Sequence, residues 1–267
     1  MAFARITSAL SNFQIRLPEG WRMMTFDVLE STNTTLRQML EAGTEAEEGL
    51  IVAAKSQTAG RGRGGRAWVS PAGNLYASFL VKSDGGLLRA PEIGFVAAVA
   101  MIAAIQALVP DQASDAALRC KWPNDVLFEG AKVSGILLET ACAPESPDVY
   151  VVLGMGLNLV PVALPEPLYA VTSLAQYGSH VKPVLALEAL AKHLARYIEI
   201  WRQEGFEPIR KIWLAHAAGL NETITVKLPS QVLTGRFVDI DSDGALVIED
   251  NSGHRRRVIA GDVVLPS

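Results

Sequence analysis

Gly60 to Trp68 reads GRGRGGRAW, three arginines and four glycines in nine positions of a chain whose net charge is −4. Guanidinium groups are planar forks of donors suited to phosphate and carboxylate oxygens. Glycines let the backbone approach a ligand closely with its N–H groups exposed. Arg61, Arg63 and Arg66 therefore predict an anion-binding loop, against the plainer alternative of a solvated surface loop. A second constellation, KWPNDVLFEGAKVSGILLE, runs from Lys121 to Glu139. It sets Lys121, Trp122, Asn124 and Asp125 at a strand entrance, with Lys132 on the returning strand. Cross-strand neighbours lie about 5 Å apart, so hairpin geometry would bring Asp125 and Lys132 together. The plainer alternative is a hairpin with surface charges and a core tryptophan.

Literal pattern matches in the loop mislead. Gly60, Gly62 and Gly65 satisfy G-x-G-x-x-G, but that fingerprint must open a helix. The chain instead continues as WVSPAGNLYASFL, with Pro71 and Gly73 and then strand texture. In the frame of a nucleotide-binding lysine loop, Arg66 stands at the lysine and Ala67 at the hydroxyl position. A kinase glycine loop lies between strands, but the chain has neither H-R-D nor D-F-G.

The elements that must position these residues are read from periodicity. MTFDVLE reads as a strand, and STNTTLRQMLEAG as a helix capped by Ser31 or Thr32 and stopped at Gly43. LIVAAK and NLYASFLV are strands on either side of the arginine loop. A buried helix from about Ile93 is closed by Pro110. ALRCKWPNDVLF and AKVSGILLET form a hairpin pair turning at Glu129-Gly130, and DVYVVLGMGLNL is an apolar strand ending in glycines. A helix around Leu185 to Gln203 places Leu187, Leu190, Leu194, Tyr197 and Trp201 on one face. Past Leu220 only short strands separated by turn clusters remain. The expected division is a large domain over 1–220 and a small barrel over 221–267.

Composition bounds the function. The 267 residues are 49% hydrophobic, enough for a substantial core, and the acidic balance argues against a general nucleic-acid coat. Cys120 and Cys142 form no CxxC pair, and the four histidines lack metal-ligand spacing, so no structural metal is signalled. The longest apolar run, Ile93 to Val109, falls short of the ~20 residues that cross a bilayer. With no apolar signal core at the N-terminus, a soluble cytoplasmic protein is expected.

Taken in order, STN at 31–33, QTAGRGRGGRAWVSPAGNLYAS from Gln57, KWPNDV from Lys121, KVSGILLE from Lys132 and GMGLNL from Gly154 resemble the biotin protein ligases. The resemblance runs from about Thr25 to the terminal strands. It implies an α+β fold of the class II aminoacyl-tRNA synthetase and biotin ligase type. Such a fold has a mixed sheet with helices on one side and a C-terminal SH3-like barrel. It also implies activation of biotin by ATP, with Mg²⁺, to biotinyl-5′-AMP. Transfer to a lysine of a biotin carboxyl carrier domain would complete the reaction. Joining two anions at about 4 Å costs roughly 4 kcal/mol at an effective dielectric near 20, which fixed cations must offset. Lys132 and Arg63 match the family positions for that task. The adenylate side would take Arg61, Arg63, Arg66, Lys121, Asn124, Lys132 and Asn158. Asp125 admits three roles, as metal-linked carboxylate, as partner of Lys132, or as base for the incoming amine.

On the biotin side the resemblance implies Ser31, Thr32, Asn33 and Gln57 around the ureido ring, whose carbonyl and N–H groups suit hydroxyl and amide partners. Gly60, Arg61, Gly62, Arg63, Trp68, Lys132 and Ile136 complete that side. Gly135, Gly154 and Gly156 would let the valeryl chain lie on bare strand backbone. The arginine loop is expected to order over the adenylate and exclude water. Many relatives carry an N-terminal DNA-binding domain. About 20 residues precede the first strand here, so the short form without DNA binding is expected, and Gly64 occupies a position that is variable or basic in some relatives. No membrane partner is expected, and self-association into a homodimer stays open. A lipoate-type ligase on the same fold and a non-transferring biotin sensor are the rival readings.

Overall fold

A computed structural model describes residues 15–43, 46–114, 116–144, 146–164 and 169–266. β1 (Arg22–Leu29), α1 (Thr32–Glu41) and β2 (Leu50–Gln57) form a parallel crossover unit. β3 (Leu75–Lys82), β4 (Leu118–Lys121), β5 (Asp125–Phe128), β6 (Ala131–Cys142) and β7 (Val149–Leu157) add antiparallel pairs. The resulting mixed sheet has the order β1-β2-β3-β7-β6-β5-β4. The strand expected over 117–128 is two strands that reverse at Trp122–Asn124, through a cis Trp122–Pro123 peptide. Proline carries no N–H for a ladder, and it leaves Lys121 paired in register with Asp125. The β5–β6 turn falls at Glu129-Gly130, both with positive φ, as that turn type demands.

Alternation along β3 sorts the two faces. Leu75, Ala77, Phe79 and Val81 enter the main core. This face is covered by α2 (Glu92–Leu108) and α3 (Pro183–Glu204), and α2 is nearly all buried. Along α3 the buried stripe runs Leu187, Leu190, Leu194, Ile198 and Trp201, with Tyr197 half-buried beside it. α1 packs on the opposite face, with Leu36 and Leu40 against Val52, Leu80 and Val152. Helices thus lie on both faces rather than one, and the short α1 leaves the rest of its face open.

α4 (Phe206–Ala215) begins after a break at Gly205; Phe206, Ile209 and Trp213, at i, i+3 and i+7, are its buried side. β8 (Thr223–Lys227), β9 (Val232–Ile240), β10 (Leu246–Glu249), β11 (Arg255–Val258) and β12 (Asp262–Val264) form an antiparallel five-stranded sheet. It joins the same core: the Trp213 ring lies 5.2 Å from Phe95 and 6.5 Å from Phe237. Trp122 fills the core, as the plainer reading of the hairpin had it, and donates its indole N–H to Gly244 O at 3.1 Å. No helix among the described residues is long and apolar enough to cross a membrane.

Candidate functional site

The open half of the α1 face carries a cavity of about 750 Å³. Its floor is β3, β7 and β6, and one wall is α1. Its roof is the arginine loop, closed at one end by the five-stranded sheet. Ser31, Thr32, Asn33 and Gln57 gather at the α1 end. Ser31 is the N-cap, accepting from Thr34 N–H, so its role in the helix is real. Gln57 Oε1 accepts from Thr32 N–H at 2.8 Å, and Gln57 Nε2 donates to Ser70 Oγ at 2.9 Å.

Ser78, which the motifs do not single out, ties this end together. Its Oγ lies 2.7 Å from Thr32 Oγ1 and 2.5 Å from Asn33 Oδ1. A serine has one proton to give. Its proton is shared between these two acceptors, because the Thr32 hydroxyl donates its own to Gln57 Oε1 at 3.2 Å. Asn33 Nδ2 in turn donates to Glu139 at 2.9 Å. Glu139 also accepts from Arg61 Nη2 at 2.8 and 3.0 Å. Ser78 was legible as the small hydroxyl beside Tyr76 on the face of β3 opposite Leu75, Ala77, Phe79 and Val81. Glu139 is likewise the lone acid closing VSGILLE.

The glycines do not lie bare. A Cβ at Gly135 or Gly156 would come within 2.8 Å of the Trp68 indole, and one at Gly154 within 2.3 Å of Asn33 Oδ1. The expected apolar trough is filled by Trp68, whose Nε1 is buried with no partner among the described residues. A loop side chain folding back onto strand backbone is not readable from local pattern.

The roof is held by its own arginines. Arg66 Nη2 pairs with Asp262 of β12 at 2.8 Å, and its Nε donates to Arg63 O. Arg63 reaches Asn124 Oδ1 and Gly261 O, each at 3.4 Å. Between them Gly64 and Gly65 take φ of 63° and 75°, so glycine at position 64 suits a left-handed turn. Burial is the main cause holding the Arg63 guanidinium below its ordinary pKa; Arg66 adds to this and Asp262 opposes it.

Lys132 stands at the centre. Its Nζ lies 2.6 Å from Asp125 Oδ1, the neighbourhood expected from the hairpin, and 3.2 Å from Tyr169 OH. Its ammonium also faces the Trp68 and Tyr169 rings, each centroid 5.1 Å away. Lys121 faces Tyr169 as well. Burial pushes the Lys121 ammonium down; nearby Asp125 opposes the shift and Lys132 adds to it.

Among the described residues, six basic side chains and two carboxylates, Asp125 and Asp262, line the cavity. The local excess is positive in a chain that is acidic overall, which suits an anionic ligand. Gly62, Arg63, Asn124 and Ile136 are on its wall; Gly60 and Asn158 are not. Gly60 is covered by Trp68 O and Ser70 Oγ. Asn158 lines a separate cavity of about 80 Å³ behind Trp68 and Lys132, and its amide donates to Thr172 O at 3.1 Å. Among the described residues, no three His, Cys, Asp or Glu side chains cluster as metal ligands.

The profile of the biotin/lipoate A/B protein ligase family matches residues 25–158, half of the chain. The chain belongs to this family. A second profile, the biotin protein ligase C-terminal domain, matches residues 219–265. Two relatives named biotin–[acetyl-CoA-carboxylase] ligase are similar along nearly their whole length. The one from Paracoccus denitrificans is 37% identical, over 85% of this chain and 95% of its own. The one from Mycobacterium tuberculosis is 32% identical, over 92% and 90%. The fold matches that of the Aquifex aeolicus biotin protein ligase solved with biotin and ATP. Its TM-score is 0.75 at 24% identity, covering 91% of this chain and 97% of that one. Within the family's large fold, the arginine loop and the Lys121–Glu139 hairpin both lie inside the matched region.

Proposed function

We infer that this protein is a biotin protein ligase, joining biotin to ATP and passing the biotinyl group to a lysine of a biotin carboxyl carrier domain. One observation carries this reading. A polar end built from Thr32, Asn33 and Gln57, a roof of arginines and the paired Lys132 face one cavity in a chain of this family. The polar end suits a ureido ring, and the indole of Trp68 supplies an apolar surface for the valeryl chain. Asn158, behind Trp68, would meet the adenine side.

In the first step a biotin carboxylate oxygen bonds to the α-phosphorus of ATP and pyrophosphate leaves. Lys132 and Arg63 offset the charge that gathers where the two anions meet. Arg61 and Arg66 would exchange their present carboxylate partners for phosphate oxygens. In the second step the carrier amine attacks the acyl carbon, AMP leaves, and the amine gives up a proton. Asp125 is spent on Lys132 at 2.6 Å, so its role is to fix that ammonium. Mg²⁺ enters as companion of the ATP phosphates. The two carboxylates on the wall each hold a cation, and no step is assigned to them as metal ligands.

The test mixes the protein with biotin, ATP-Mg²⁺ and a carrier domain and weighs the carrier. A gain of one biotinyl group is expected, and none with Lys132→Ala. An unchanged carrier mass, with a known ligase active on the same carrier, would end the reading. Lipoyl transfer in place of biotinyl transfer would favour the rival ligase.

A further inference from the structure

We propose that Tyr169 is a positioning residue for Lys132, a role that rests on the reading above. The backbone puts it there. Lys132 N–H donates to Ala170 O at 2.8 Å and Lys132 O accepts from Thr172 N–H at 2.9 Å, so the segment after Tyr169 lies alongside β6 like an added strand. That pairing delivers the Tyr169 side chain onto the lysine's own ammonium.

Donor counting shows what this achieves. An ammonium has three N–H groups. One is directed to Asp125 Oδ1 at 2.6 Å and one to Tyr169 OH at 3.2 Å. Trp68 and Tyr169 close two sides with their rings. Among the described residues one N–H is left, and the open side is the cavity, where the carboxylate would meet the phosphate. Without the phenol the ammonium keeps its charge but gains a second direction to turn. The same ring also faces Lys121 at 5.1 Å. Tyr169 thus stands between two cations that repel each other, with Lys132 at its hydroxyl and Lys121 toward its ring. Tyr169 lines both the large and the small cavity, so it sits where the biotin and adenine sides adjoin.

Two measurements on the full chain test this. Biotin-dependent exchange of pyrophosphate into ATP reports the first step. Tyr169→Phe keeps ring and fold, and should lower kcat about tenfold, the loss expected of one hydrogen bond to a charged group, with KM for biotin within about twofold. Calorimetric binding of a non-reactive biotinyl-AMP analogue supplies a cycle over wild type, Tyr169→Phe, Lys132→Met and the double variant. If Tyr169 acts through Lys132, its removal weakens binding in the wild type and changes nothing in Lys132→Met. Wild-type kcat in Tyr169→Phe would overturn the proposal, as would an equal binding loss in both backgrounds. Absence of exchange in the wild-type protein would overturn the ligase reading and this proposal with it.

Discussion

Gly156→Ala decides whether this glycine makes room for Trp68 or for a ligand. No positive φ requires glycine at this position, so only space is at stake. The added Cβ would lie 2.8 Å from Cε2, Cζ2 and Nε1 of the indole. That is about 0.7 Å inside the ~3.5 Å at which carbon contacts become favourable. The indole is rigid and wedged over two glycines, so it must tilt as a body. Overpacking of this kind costs about 1–3 kcal/mol. For a chain of this size each kcal/mol is worth roughly 2–4 °C, so Tm should fall by about 2–12 °C. Tilting also withdraws the ring from Lys132, now 5.1 Å away, and weakens binding of a biotinyl-AMP analogue. Thermal unfolding and calorimetry on Gly156→Ala, Trp68→Leu and the double variant make the assay. Leucine removes the clashing ring, so the double variant should melt no lower than Trp68→Leu alone. If Gly156→Ala leaves Tm unchanged but abolishes analogue binding, the glycine serves the ligand and the packing argument fails.

Three further outcomes rest on the site's charges. Asp262→Asn removes the carboxylate from a half-exposed pair, so stability should change by less than about 1 kcal/mol. Tryptic cleavage between Arg61 and Arg66 should nonetheless accelerate, and biotin with ATP should suppress it; an unchanged rate would show that β12 does not hold the loop. Asp125→Leu strands the Lys132 ammonium, whose side chain is only 9% exposed, and should cost about 3 kcal/mol in urea unfolding, with much of it recovered in Asp125→Leu/Lys132→Met. Burial holds Lys121 below its ordinary pKa, which penalises the charged form in the folded state. An adenylate phosphate beside it would raise that pKa again. Binding at alkaline pH should therefore take up protons, and affinity should fall as pH rises through the lowered pKa. Calorimetry in two buffers of different ionisation enthalpy measures the uptake, and Lys121→Met should abolish it.

The residues that could do chemistry were legible because their types are costly to place idly. Three arginines among glycines, and a lysine opposite an aspartate across a tight hairpin, constrain the ligand before any fold is known. The short apolar run of β3 and the long one of α2 marked a strand and a buried helix by their length and flanking turn residues. The reversal at Trp122–Asn124 was missed because a proline inside an apolar strand leaves the direction of the chain after it undetermined. What only tertiary structure decided are contacts between distant segments. Asp262 holds Arg66 from 196 residues away, Glu139 joins Arg61 to Asn33, and Trp68 covers Gly135 and Gly156. None leaves a local signature, since a side chain's partner across the fold is set by how sheets and helices pack. The sequence by itself determined which cations stand near one another, three arginines among glycines and Lys132 across a hairpin from Asp125. The packing of the loop and of β12 against the sheet decided which internal carboxylates those cations rest on.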